Sequence, residues 1–225
     1  AFNAGGLNPE MYAEAERRLD PASPSPVVVL AVTPLSIMSV KAANEQFHEV
    51  RDQPRDERWI LLRAPALAEW FAPVAPAEVL RAAFRVPARS RYEQEFHDDG
   101  WIASLRTPTD TTDVFVQYTR ELTGNTTDPR LVDALVDQTR AWTRRGVRVV
   151  AFRPPTTDDA EAMEDGLLGF QESALAAAFA AAGGTWLDFP NGRYRTYDGS
   201  HLRRESALAF SRDLGAELRR VLDRR

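Results

Sequence analysis

The chain has 225 residues, 44% of them hydrophobic and 27% charged, which is enough to bury one sizeable core; it reads as a single domain spanning 1–225. A formal charge of −5, with acidic and basic residues interspersed, excludes the basic groove of a nucleic-acid binder and a polybasic membrane patch. The absence of cysteine excludes disulfides, thiolate nucleophiles and thiolate-bound zinc, and leaves the compartment open. No apolar run reaches the roughly 18 residues that a membrane-spanning helix needs.

Strand and helix patterns alternate along the chain. AFNAGG (1–6) reads as the end of a strand breaking into a glycine turn, and Pro9 with MYAEAERRL starts a helix. PVVVLAVTP (26–34), a β-branched run between prolines, reads as a strand buried on both faces. Residues 41–112 are less regular, with helical pieces such as 66–84 and frequent prolines, and read as an insertion or lid. DVFVQY (113–118) reads as a short strand, and 128–146, with its Asp-Pro start and terminal glycine, as an amphipathic helix. VRVVAFRPP (147–155) is a second buried strand, and 159–182 a long alanine-rich helix ending at Gly183-Gly184. TWLDF (185–189) is a third strand, and 206–222 an amphipathic final helix. Strands alternating with helices imply an α/β fold with a mostly parallel sheet in a three-layer α/β/α sandwich.

In such sheets the chemistry gathers at the carboxyl ends of the strands. Asn3, Gly5 and Gly6, then Thr33, then Arg153, and finally the loop YDGSHL (197–202) fall there. Asp198 and His201, three apart around a glycine, place a carboxylate within reach of an imidazole Nδ1, two parts of a hydrolytic triad. The plainer reading makes Asp198 a helix cap and His201 a packed side chain. Arg153 reads either as an anion-binding group or as a partner of acidic residues in TTDDAEAMED. Trp101, Phe115, Tyr118 and Tyr197 read as pocket-lining or core aromatics. His97-Asp98-Asp99 and His48 with Asp52 lack metal-ligand spacing, so neither a metal nor a cofactor is expected.

YDGSHLRRESALAFSRDLGAEL after TWLDF resembles the last block of the SGNH (GDSL-like) hydrolase superfamily, FNAGGLNPE is similar to its second block, and PVVVLAVTPLS occupies the place of the third. Within that superfamily the chain looks closest to envelope-associated proteins that deacylate or modify surface polymers. The resemblance implies a flavodoxin-like sandwich and an ester hydrolase or O-acyltransferase acting on O-acyl groups, such as O-acetyl, of a carbohydrate or other polymer. It gives Asp198 and His201 catalytic roles and makes Gly5, Gly6, Asn3 and Thr33 candidates for the oxyanion hole. Trp101, Tyr197 and Arg153 become candidates for substrate contact, in an extracytoplasmic setting. Two departures stand out. The chain contains no G-x-S, so the nucleophilic serine is expected upstream of Ala1, with Ser36 as the internal alternative. The third block ends Thr33-Pro34, and proline has no N–H to donate. A non-catalytic module binding a glycan or a protein is the alternative reading, and oligomeric state is not legible.

Overall fold

A computed structural model describes residues 6–43, 80, 83–84, 91–97, 102–107, 109 and 112–223. In chain order these form α1 (Pro9–Arg18), β1 (Val27–Ala31), two 3₁₀ turns (Pro34–Ile37 and Ser39–Ala43), β2 (Arg91–Phe96) and β3 (Ile102–Thr107). There follow α2 (Thr112–Leu122), α3 (Pro129–Arg144), β4 (Arg148–Phe152), α4 (Asp158–Leu168), α5 (Glu172–Ala181), β5 (Thr185–Leu187) and α6 (Arg204–Asp223). The fold is α/β. β1, β4 and β5 make a parallel sheet in that order, and β2 pairs with β3 as a separate antiparallel hairpin.

Helix starts follow local chemistry. Asn8 accepts the Met11 N–H at 3.1 Å before Pro9, and Asp128 accepts the Arg130 N–H at 2.9 Å before Pro129; each satisfies a donor that the first turn leaves unpaired. Thr157 does the same for α4, whose first turn carries Asp158, Asp159 and Glu161 against the positive end of the helix dipole. The helix expected over 159–182 is two helices. Gly169 adopts φ +63, the left-handed conformation that ends α4, and Phe170 then turns into the core. The strand expected at 113–118 lies within α2. Phe115, Tyr118 and Leu122 share one helical face there, with Leu122 fully buried, and that 3.6-residue period prevails over the β-branched composition.

Register is continuous across the sheet, Val29 pairing with Val150 and Val150 with Thr185. Val28, Leu30, Val149 and Ala151 pack one face against α1, α3 and α5, around the fully buried Trp142 and Phe179. Trp142 meets Tyr12 edge-on at 5.9 Å and donates its Nε1–H to Glu16 at 2.6 Å, satisfying its polar atom. Val150, Phe152 and Leu187 pack the other face against Phe210, Leu214 and Leu218 of α6. β4 is therefore covered on both sides, but β1 is not. Val28 and Leu30 are buried while Val29 is 41% exposed, because α6 covers β4 and β5 and stops short of β1. Among the described residues no strand pairs with the outer edge of β1.

After β1 the chain is clasped. Met38 bridges Thr127, the Ser39 N–H donates to Thr126 O at 2.9 Å, and the Asp128 N–H donates to Ile37 O at 2.9 Å. Most of 41–112 lies outside the described residues; of it, β2 reaches α6 through Glu95 and Arg204 at 2.6 Å. No helix among the described residues is long and apolar enough to cross a membrane.

A methyl group on Gly184 would lie 2.2 Å from the ring of Phe179, which is fully buried and has no space to retreat into. Gly184→Ala is expected to destabilise the fold by about 1–3 kcal/mol, or roughly 2–12 °C in Tm, readable by thermal denaturation followed by circular dichroism.

Candidate functional site

Between β5 and α6 the chain makes a tight turn at 197–201. Gly199 sits at φ +98, a conformation strained for any side chain, and its missing Cβ leaves room for Phe115 of α2, whose ring lies 3.3 Å from that position. The turn is closed by the Tyr197 N–H donating to His201 O at 3.0 Å and by a bridge between Thr196 and Leu202.

Within the turn Asp198 is fully buried. Its Oδ1 accepts the N–H groups of Ser200 at 3.0 Å and His201 at 2.8 Å, and its Oδ2 lies 2.9 Å from His201 Nδ1. Burial pushes this carboxyl up, but the imidazole and the two backbone N–H groups more than reverse the effect and lower it to about 2. Asp198 is thus an anion held where Nδ1–H donates to it. The imidazole stacks on the buried ring of Tyr197 at 5.7 Å and 14°, yet the side chain is 57% exposed. Among the described residues no hydroxyl is hydrogen-bonded to Nε2, so this lone pair is open to take a proton from an incoming group.

Side chains adjacent in sequence are expected to point apart, but Ser200 Oγ lies 2.9 Å from His201 Nδ1 and 3.4 Å from Asp198 Oδ1. The left-handed Gly199 curls the turn so that both residues face the same carboxylate. Ser200 occupies the Nδ1 edge, where Nε2 cannot deprotonate it. Tyr118, half-buried on α2, completes this side: burial raises its pKa, the Ser200 hydroxyl opposes the shift, and the nearby Glu164 and Asp198 charges add to it. The N–H and hydroxyl of Thr157 both donate to Gly199 O, at 3.2 and 2.9 Å. Sequence reasoning missed the roles of Ser200 and Thr157. A threonine before two aspartates signals a helix cap, but nothing in the sequence tells of its second partner.

The other candidates divide. Asn3, Gly5 and Trp101 lie outside the described residues. Gly6 is buried beside the 3₁₀ turns, 3.0 Å separating its would-be Cβ from Lys41 Cβ, and the adjoining Leu7 N–H donates to Ser36 O at 2.7 Å, so Gly6 and Leu7 abut the turn that follows β1. Thr33 and Ser36 form a reciprocal cap: the Ser36 N–H donates to Thr33 Oγ1, the Thr33 N–H to Ser36 Oγ, and the Ser36 hydroxyl to Thr33 O at 2.7 Å. Ser36 is committed to that cap. The Thr33 hydroxyl only accepts there and keeps its proton for another acceptor. Tyr197 is buried beneath the imidazole, supporting it instead of lining an open pocket.

Arg153 pairs with the acidic run that follows it. It is 6% exposed, over the Phe170 ring at 5.3 Å, with Glu164 at 2.9 Å, Asp165 at 3.0 Å, Glu172 at 3.3 Å and Glu161 at 3.8 Å. Burial alone would lower its pKa, and the carboxylates raise it further than that, so the guanidinium is permanently charged and fully occupied. Glu161 also accepts from Asn191, which in turn accepts the Thr156 N–H at 3.0 Å, tying the end of β4 to the loop that leads into the turn. Beside this junction opens a polar cleft of about 490 Å³ lined by Thr156, Thr157, Asp158, Tyr194, Arg195 and Arg203. No group of three or more potential metal ligands occurs among the described residues. No protein-family model, curated protein or solved structure matches the chain.

A carboxyl depressed in the folded state stabilises it above the unfolded value near 4, and that contribution is lost as pH falls towards 2. The difference in Tm between the wild type and Asp198→Asn is therefore expected to be fully developed above about pH 4 and to shrink between about pH 4 and pH 2, as measured by scanning calorimetry across that range.

Proposed function

We propose that the chain is an SGNH-type serine ester hydrolase or O-acyltransferase, built as a three-layer, flavodoxin-like α/β/α sandwich. The observation that carries this reading is the pairing of a fully buried, ionised Asp198 with Nδ1 of an imidazole whose Nε2 faces outward. That arrangement suits proton transfer: Nε2 takes the proton of an attacking hydroxyl, the imidazolium is stabilised by Asp198, and the same proton passes to the leaving alcohol. The nucleophile is a serine brought to Nε2 from outside the described residues, since Ser200 is on the wrong edge of the ring and Ser36 is committed to its cap. That no strand among the described residues pairs with the outer edge of β1 supports this, because a parallel strand paired there would deliver its carboxyl end beside Thr33. In this reading the Thr33 hydroxyl and the amides of Gly5 and Gly6 receive the developing oxyanion, Asn3 being the other candidate donor. The substrate class, an O-acyl group on a carbohydrate or surface polymer in the cell envelope, rests on the family resemblance. No metal or cofactor is required by this chemistry.

The test is turnover of an aryl acetate and of an O-acetylated oligosaccharide by the complete gene product. His201→Ala is expected to lower kcat by about 10⁴-fold or more, and Asp198→Asn by somewhat less, because the ring survives without its orienting charge. The alternative, a binding module without catalysis, is favoured by Pro34, which offers no N–H where the family places a donor. Absence of turnover in a folded protein with Asp198 and His201 intact would select it.

A further inference from the structure

The turn that carries Asp198 and His201 is largely bonded to itself, so its orientation depends on what grips it from outside. Thr157 grips it at one atom. Gly199 O accepts both the N–H of Thr157, at 3.2 Å, and its hydroxyl, at 2.9 Å, while the same oxygen Oγ1 accepts the Ala160 N–H at 3.3 Å as the cap of α4. One hydroxyl therefore joins a helix that begins just after β4 to the single peptide whose left-handed geometry sets the direction of both Asp198 and Ser200. The ring of Phe115 and Thr157 Oγ1 both lie within 4 Å of where a Cβ on that glycine would stand, so the turn is packed against α2 and the start of α4 together. Rotation of the Gly199 carbonyl would move the Ser200 N–H, which belongs to the same peptide, off Asp198 Oδ1, and so loosen the carboxylate that faces Nδ1.

We propose that Thr157 is the positioning residue of the Asp198–His201 pair: its hydroxyl anchors Gly199 O so that Nδ1 meets the carboxylate and Nε2 faces outward. The inference rests on the reading of the pair as a base, but its main test does not need turnover. Long-range proton–nitrogen NMR on the 225-residue chain reports the imidazole tautomer at a pH where the ring is neutral. The wild type is expected to show the Nδ1–H form alone. Thr157→Val, which removes the donor and the cap, should show a mixture with the Nε2–H form. Thr157→Asp keeps an accepting oxygen for Ala160 but has no side-chain donor for Gly199 O, and should show the same mixture in a stably capped protein. Thr157→Ser, which retains both roles, should restore the wild-type spectrum. An unchanged single tautomer in folded Thr157→Val and Thr157→Asp would overturn the proposal.

In the complete gene product the Val and Asp variants should lose about 10²-fold in kcat with KM within about twofold, since misplacement affects the reacting geometry more than binding. Loss of KM with kcat preserved would also overturn it. If the wild type turns over no acyl ester while the tautomer series behaves as expected, the esterase reading fails and the positioning role of Thr157 stands.

Discussion

β4 is hydrogen-bonded on both edges and covered on both faces, and the remaining elements take their places from it. Val150 and Ala151 are fully buried on opposite sides of one strand, so the chain must supply apolar helices above and below, and the parallel neighbours must match its register. The same constraint dictates what happens where β4 ends. Arg153 leaves the sheet while still enclosed, and a buried guanidinium is stable only with anionic partners. α4 and α5 provide them, and in doing so fix where α4 begins, where Thr157 stands, and how the 188–201 loop lies against it. The buried charge next to the sheet is thus the first link in a chain of polar contacts that ends at the imidazole.

The pair at the far end is asymmetric in exposure, which is the source of its chemical character. Asp198 gives up all contact with water and is compensated by donors from its own turn; His201 keeps most of its side chain in solvent. A carboxylate so enclosed cannot serve as a promiscuous hydrogen-bond partner. Its field acts through one nitrogen, and the other nitrogen is left for an external group. Stacking on Tyr197 holds the ring plane, so the direction in which Nε2 faces is set by packing as well as by charge.

How much of this was legible in the sequence depends on the distance over which each feature is encoded. β1 and β4 stand out as β-branched runs and β5 as a short apolar run after a glycine pair, and α1 and α3 as Asn-Pro and Asp-Pro starts, because strand composition and capping are local. Asp198 and His201 were legible for the same reason, being three residues apart around a glycine. The break at Gly169 was masked by the strong helix formers on either side, and α2 was disguised by Val114, Phe115 and Val116, whose composition favours a strand while their spacing favours a helix. Exposure of Val29 was not legible, since a run of valines does not tell which neighbours cover it. Phe115 and Tyr118 were legible only as pocket or core aromatics, and Thr157 only as a helix cap, because each comes from more than 40 residues away and is brought to the turn by the packing of α2 and α4.

The clasp after β1 has its own consequence. Where Met38 and Ser39 meet Thr126 and Thr127, the chain enters and leaves the region between them at nearly the same point, and both strands of the clasp are fastened to the sheet side of the molecule. A detour whose two ends are already joined is thermodynamically detachable. Doubling its length would cost only about 0.6 kcal/mol of closure entropy, while the register of β1 on β4 would feel nothing. Changes in length between the second 3₁₀ turn and α2 therefore load the clasp and not the strands, whereas α2 itself, with Phe115 against Gly199 and Leu122 in the core, has to stay where it is.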